Sequence, residues 1–228
     1  MIVSAYQPFF APFPGFFAKA FRSDELVLMD AVQFPRGATW LNRNRFKNDQ
    51  GTLWMTVPVW KKGLGLQKIN EVRICHERPW AKKHLASLKA AYGHAPFFEE
   101  HLGFLEEIFS VKFEKLVELN IRIIEYLMSR LQVPAKVSLL SDLGIEARDP
   151  LLSVKICKKL GASHFLAQAG SGKYLEGELF QREGIELTFF NPRPPVYPQL
   201  WGRFIPNLSA FDLLFNCGPK GASILRKV

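Results

Sequence analysis

A chain of 228 residues with 48% hydrophobic and 13% aromatic side chains can bury a substantial core, which excludes a disordered protein. The formal net charge of +9 points to anionic partners without choosing among them. No apolar run approaches a membrane span, the first residues lack a signal peptide's order, and Cys75, Cys157 and Cys217 are too scattered for a disulfide frame or a zinc site. A cytoplasmic protein with buried thiols and no metal centre is expected.

The chain opens on Ile2–Tyr6, β-prone residues that read as a strand inside a sheet, with Gln7 at its carboxyl end. Pro8, Pro12 and Pro14 delay a helix until about Phe13, after which Phe16, Phe17, Ala20 and Phe21 recur at helical spacing. Gly15 marks a turn or a close approach of backbone. Residues 26–34 read as a second buried strand, because Leu26, Val27, Leu28 and Met29 form the continuous apolar run that a sheet covered on both faces demands. The unit is a βαβ, and it places Gln7 and residues 30–33 at the carboxyl edge of the sheet, where open α/β sheets bind ligands.

Asp30 interrupts that apolar run, and an ionised carboxylate there has to be paired, hydrogen-bonded or used. Two readings stand. Either Asp30 pairs with Arg43 or Arg45 and ties down a loop, or it is a catalytic base flanked by Gln7 and Gln33 as further catalytic residues. Gln7 is equally suited to capping the helix turn.

Residues 35–49 read as a basic loop with Arg36, Asn42, Arg43, Asn44, Arg45, Lys47 and Asn48 around Trp40. Crowded guanidinium and amide groups suit phosphate, carboxylate or sugar hydroxyls, with a plain solvated loop as the alternative. Asn42, Arg43 and Asn44, joined by Lys19 from the first helix, are the candidate substrate or phosphate contacts. Nucleic acid needs a basic stripe with interleaved aromatics, and Trp40 or Trp54 beside Arg43 and Lys61 is a thin match. Phosphorylated metabolites or nucleotide sugars fit the charge with fewer assumptions.

Residues 53–59 and 69–74 read as strands of an antiparallel hairpin around a turn at 61–65. Cys75 and His76 are adjacent, so in a strand they point to opposite faces and do not form a nucleophile and base. Helices follow at 79–92, 96–109 and 113–131, three in succession, which reads as a helical insertion packed beside the sheet of a single domain spanning 1–228. After Pro134 the alternation resumes: strand 137–140, helix 151–160, strand 163–167, helix 173–182, strand 185–190. The loop joining the last strand–helix pair carries Gly170, Ser171, Gly172 and Lys173, and free amides at a helix start attract phosphate. As a P-loop it fails, because Ala167 stands where the first glycine belongs and Tyr174 follows the lysine. Gly170, Gly172 and Lys173 are therefore either a phosphate contact or a connecting turn.

Residues 191–207 hold five prolines and read as extended, with Tyr197 and Gln199 placed to line a pocket. Ser209 caps a helix over 210–216 whose Phe211, Leu213, Leu214 and Phe215 require burial. Asp212 and Asn216 on it are either a buried polar pair or part of a site.

Several runs together resemble the WbqC-like family of bacterial proteins. They are Gln7-Pro8 with Pro12, Gly15, Phe17 and Lys19; Asp24, Asp30 and Val32-Gln33-Phe34; Asn42-Arg43-Asn44; residues 68–72; Pro79-Trp80 and Lys83-His84; Val196-Tyr197-Pro198-Gln199; and residues 212–218. The likeness covers nearly the whole chain and departs where Phe9, Phe10, Phe13 and Phe16 replace the family's Tyr or Trp. The resemblance implies a setting in O-antigen or other surface-polysaccharide synthesis. The first βαβ is also similar to the opening of adenylate-forming and nucleotidyl-transferring enzymes, whose His-x-Gly-His is here Phe13-Pro14-Gly15-Phe16, without either imidazole.

The expectations are thus an α/β protein with a mostly parallel, Rossmann-like sheet, a small antiparallel hairpin and a three-helix segment. It binds a nucleotide or nucleotide sugar and transfers an acyl or related group, as a transferase or an ATP-dependent ligase. The rival is a non-catalytic binding protein that has kept the pocket for recognition. Formation of a homo-oligomer stays open.

Overall fold

The computed structural model describes residues 1–228. The first βαβ unit is β1 (Ile2–Tyr6), α1 (Pro14–Phe21) and β2 (Glu25–Leu28). Pro14 opens α1, where its missing N–H costs nothing, and Phe16, Phe17 and Ala20 are fully buried. A ribbon follows, β3 (Arg43–Asn48) and β4 (Gly51–Thr56), then three helices, α2 (Trp80–Tyr92), α3 (Glu99–Ser110) and α4 (Leu116–Arg130). The α/β alternation returns with β5 (Lys136–Leu139), the single turn α5 (Leu140–Leu143), α6 (Leu151–Leu160), β6 (His164–Gln168), α7 (Gly177–Arg182) and β7 (Glu186–Phe190). An extended strap leads to α8 (Ala210–Cys217) and α9 (Lys220–Arg226). No helix is long and apolar enough to cross a membrane.

Five strands form one parallel sheet in the order β5-β2-β1-β6-β7. Val3 of β1 lies opposite Glu25 on one side and Phe165 on the other, so the first strand is the middle of the sheet. Alternate side chains go to opposite faces. Leu26 and Leu28 join Tyr6, α1, α4 and α8 in the larger core, whereas Val27 and Val3 pack with Leu152, Ile156 and Phe180 of α6 and α7. Both faces are covered, which is why β2 reads as an uninterrupted apolar run.

The expected architecture is present: a parallel α/β sheet, an antiparallel ribbon and three consecutive helices. Five details differ. The antiparallel ribbon pairs residues 43–48 with 51–56, not 53–59 with 69–74. Asn44 and Phe46 face inward, Arg43 and Arg45 outward, and the turn closes with Asn48 Oδ1 accepting from Gln50 N at 3.1 Å. Residues 69–71 form a 3-10 turn, and the anticipated pairing survives as one bridge between Val59 and Ile74.

β2 stops at Leu28 because the chain turns there, Asp30 N donating to Leu28 O at 2.9 Å. The expected helix from Lys173 is two pieces, a 3-10 turn Ala169–Tyr174 and α7, with extended backbone at Leu175 between them. Cys157 and Cys217 are buried as expected, while Cys75 is half-exposed.

Candidate functional site

Three strand ends define a cleft of about 1180 Å³ at the carboxyl edge of the sheet. Gln7 follows β1, Met29 and Ala31 follow β2, and Leu140 and Ser141 follow β5. One wall is residues 66–70, fastened antiparallel to residues 30–34. Phe34 N donates to Gln67 O, Ile69 N to Val32 O and Asn70 N to Asp30 O, each at 2.9 Å. The opposite wall is the loop 144–150 and the start of α6, where Asp149 Oδ1 accepts from Ser153 N at 3.1 Å and from its hydroxyl at 2.6 Å. Those two bonds fix the loop against the first turn of the helix.

The polar side chains converging on the cleft are Gln7, Gln33, Lys68, Asn70 and Arg148, with Glu146 and Asp149 on the loop. Lys68 and Arg148 are exposed and form no ion pair. Two cations that form no ion pair, beside the amides of Gln7, Gln33 and Asn70, suit an anion that also carries hydroxyls.

Asp30 lies beneath this surface, 2% exposed. Its Oδ1 accepts from Ser141 N at 2.9 Å and its Oδ2 from Asn70 Nδ2 at 3.4 Å. The first bond ties the carboxylate to the opening turn of α5, next to the end of β5. The second aims the Asn70 amide. No bond joins Asp30 to Arg43 or Arg45, so the loop-tying partner is Ser141.

The remaining expected contacts lie elsewhere. Arg43 stacks on Trp54, its guanidinium carbon 3.8 Å from the ring centroid. Asn44 Nδ2 donates to Phe10 O at 3.0 Å and Ala11 O at 2.7 Å, and Asn42 Nδ2 to Val57 O at 2.9 Å. Both amides are buried and engaged in holding backbone. Asn120 does the same for the first turn, donating to Pro8 O at 2.8 Å and Leu41 O at 2.7 Å.

Lys19 is 1% exposed, with Nζ donating to Ala5 O at 2.9 Å and lying 3.7 Å from the Tyr6 ring centroid. Burial pulls its ammonium down to about 7. Gly170, Gly172 and Lys173 occupy the exposed 3-10 turn after β6, ahead of α7 and not at its first turn, and Lys173 Nζ lies 4.8 Å from the Tyr174 ring centroid.

Tyr197 and Gln199 belong to a second, buried group around Asp212. Tyr92 Oη donates to Asp212 Oδ2 at 2.8 Å and accepts from Lys47 N at 2.8 Å. Lys47 Nζ reaches Arg203 O at 2.7 Å and Gln199 Oε1 at 3.3 Å. Burial raises the Asp212 carboxyl above its ordinary value, against the lowering by its Tyr92 hydrogen bond, and raises Tyr92 and Tyr197. Asn216 Oδ1 accepts from Leu200 N at 3.2 Å. The group fastens the strap to the helices.

The structure therefore brings Gln7 and Gln33 into one cleft with Asp30 beneath it, and adds Lys68, Asn70 and Arg148. Lys68 and Asn70 stood in one of the sequence's characteristic runs. Nothing in the sequence pointed to Arg148.

A model of the WbqC-like protein family matches residues 7–224 of this chain. The chain is also similar to an uncharacterised protein of Mycobacterium tuberculosis, Rv1507c, at 31% identity over 226 residues, which covers 98% of this chain and 97% of the relative. No solved structure matches it.

Proposed function

Because the chain belongs to the WbqC-like protein family, we propose that its sheet-edge cleft binds a nucleotide-linked sugar and transfers an acyl or related group to it, in surface-polysaccharide or amino-sugar synthesis. The observation that carries this reading is the cleft itself: about 1180 Å³, at the carboxyl ends of parallel strands, with Lys68 and Arg148 unpaired. In this reading the two cations hold the diphosphate, and Gln7, Gln33 and Asn70 hold sugar hydroxyls or the carbonyl oxygen on which charge develops. Acyl transfer forms a bond from the acceptor's amine or hydroxyl to the carbonyl carbon, breaks the bond to the donor's leaving atom, and passes the acceptor's proton to that leaving group. Asp30 acts through Asn70 as a positioning residue. A binding role without turnover is the second reading, favoured by Asp30 having both oxygens hydrogen-bonded out of solvent.

A thermal-shift screen over nucleotides, nucleotide sugars and acyl donors tests the proposal. A ligand at about 100 times its Kd adds roughly 2.7 kcal/mol, which raises Tm by about 5–10 °C in a chain of this size. The shift is expected for nucleotide sugars and is expected to vanish in a Lys68→Ala, Arg148→Ala double variant. No response to any phosphorylated compound would sink it. Product formation from a paired donor and acceptor separates transfer from binding alone.

A further inference from the structure

Away from the cleft, the outward side of the β3–β4 ribbon gathers indoles and cations that are separated in the chain. Register sets Arg43 opposite Thr56 and Arg45 opposite Trp54, on the side of the ribbon turned away from Asn44 and Phe46. Trp40 stacks on Trp54 with centroids 5.6 Å apart and planes 28° apart. Arg43 lies 3.8 Å from the Trp54 centroid and Arg45 lies 5.7 Å from that of Trp40. The two indoles remain 43% and 45% exposed, so the stacked pair is still open to solvent.

Trp54 also lines an adjoining pocket of about 520 Å³ together with Arg78, Trp80, Lys83 and His84, where Glu77 is the acidic wall. Trp80 and His84 are more than nine-tenths buried, and Trp80 Nε1 and His84 Nδ1 have no hydrogen-bond partner. Arg43, Arg45, Arg78 and Lys83 take no part in the molecule's ion pairs.

Flat rings interleaved with unpaired cations are the chemistry that holds unstacked bases and the phosphates between them. A duplex keeps its base faces to itself, and an acidic polypeptide uses the cations but leaves the indoles idle. We propose that this face binds single-stranded nucleic acid, with bases stacking on Trp40 and Trp54 and phosphates meeting Arg43, Arg45 and Lys83. The net charge of +9 draws such a polyanion in from a distance. The site does not depend on the sheet-edge cleft.

Fluorescence anisotropy with labelled single-stranded RNA and DNA of about 12 nucleotides tests it. Binding is expected to weaken with salt, with a slope of about 0.7 per phosphate contact. A Trp40→Ala, Trp54→Ala double variant is expected to lose at least about tenfold in affinity. Trp54→Phe, which keeps a ring, should retain most of it, and both indoles are exposed enough that near-native melting checks the fold of each variant. The Lys68→Ala, Arg148→Ala variant should bind oligonucleotide as the parent does, so failure here and failure of the cleft are told apart. No binding, equal binding of duplex or polyglutamate, or binding indifferent to loss of both indoles would each overturn the proposal.

Discussion

At the scale of single residues, the molecule keeps several ionisable groups where water does not reach, and each sets a measurable dependence. His84 is 9% exposed, and burial lowers its imidazole to about 4. The unfolded chain takes up a proton near pH 6.5 that the folded chain refuses until about 4, so stability is full above pH 6.5 and drains away as pH falls through that window. The loss is on the order of 3 kcal/mol for this one group. His101 is shifted in the same direction by burial and Arg130, so denaturant unfolding of His84→Leu from pH 7 to pH 4 should show a shallower acid slope, not a flat one. Asp30 makes a separate case. Replacing it by Ala leaves Ser141 N and the Asn70 amide without their acceptor and should lower stability by about 1–3 kcal/mol in urea unfolding. An unchanged midpoint would return Asp30 to the role of a group reserved for substrate.

At the scale of elements, α8 shows how a helix end is fixed by a neighbour. Gly218 ends it with φ +52, its N–H donating to Leu214 O at 2.8 Å, and an added Cβ would lie 2.4 Å from the Phe97 ring. Phe97 N in turn donates to Phe215 O at 3.0 Å, so the ring has no room to retreat without breaking that contact. Gly218→Ala should therefore cost about 2–4 kcal/mol, combining left-handed strain with overpacking. A midpoint within 0.5 kcal/mol of the parent, on the order of surface substitutions, would refute this account. The β3–β4 ribbon carries the opposite lesson. Arg43–Asn48 is a strand with five cationic or amide residues in six, and its inward side includes Asn44, whose amide binds Phe10 O and Ala11 O instead of packing as a hydrophobe. Composition alone read it as a loop, because alternation is visible only when the inward residues are apolar.

At the scale of the whole molecule, the sheet was legible because both faces of its central strands are covered, which shows in the unbroken apolar run Leu26, Val27 and Leu28. The carboxyl-edge rule then placed Gln7 and Gln33 in one cleft. Lys68, Asn70 and Arg148 were not legible as companions, since they arrive by the docking of residues 66–70 on 30–34 and by the loop before α6. The same holds for Trp40 and Trp54, whose stacking is created by ribbon pairing.

The central place of β1 has a consequence for the order of assembly. Tyr6 at its end bonds Gln168 at the end of β6, 162 residues later in the chain. At synthesis rates of about 5–20 residues per second, on the order of 10 seconds or more separates the two strands. Through that interval one edge of β1 has no partner of its own, and unpaired apolar edges recruit whatever extended chain is near. The strand made first is thus among the last to be enclosed, and a nascent chain held before residue 164 should leave β1 open to a protease or a chaperone.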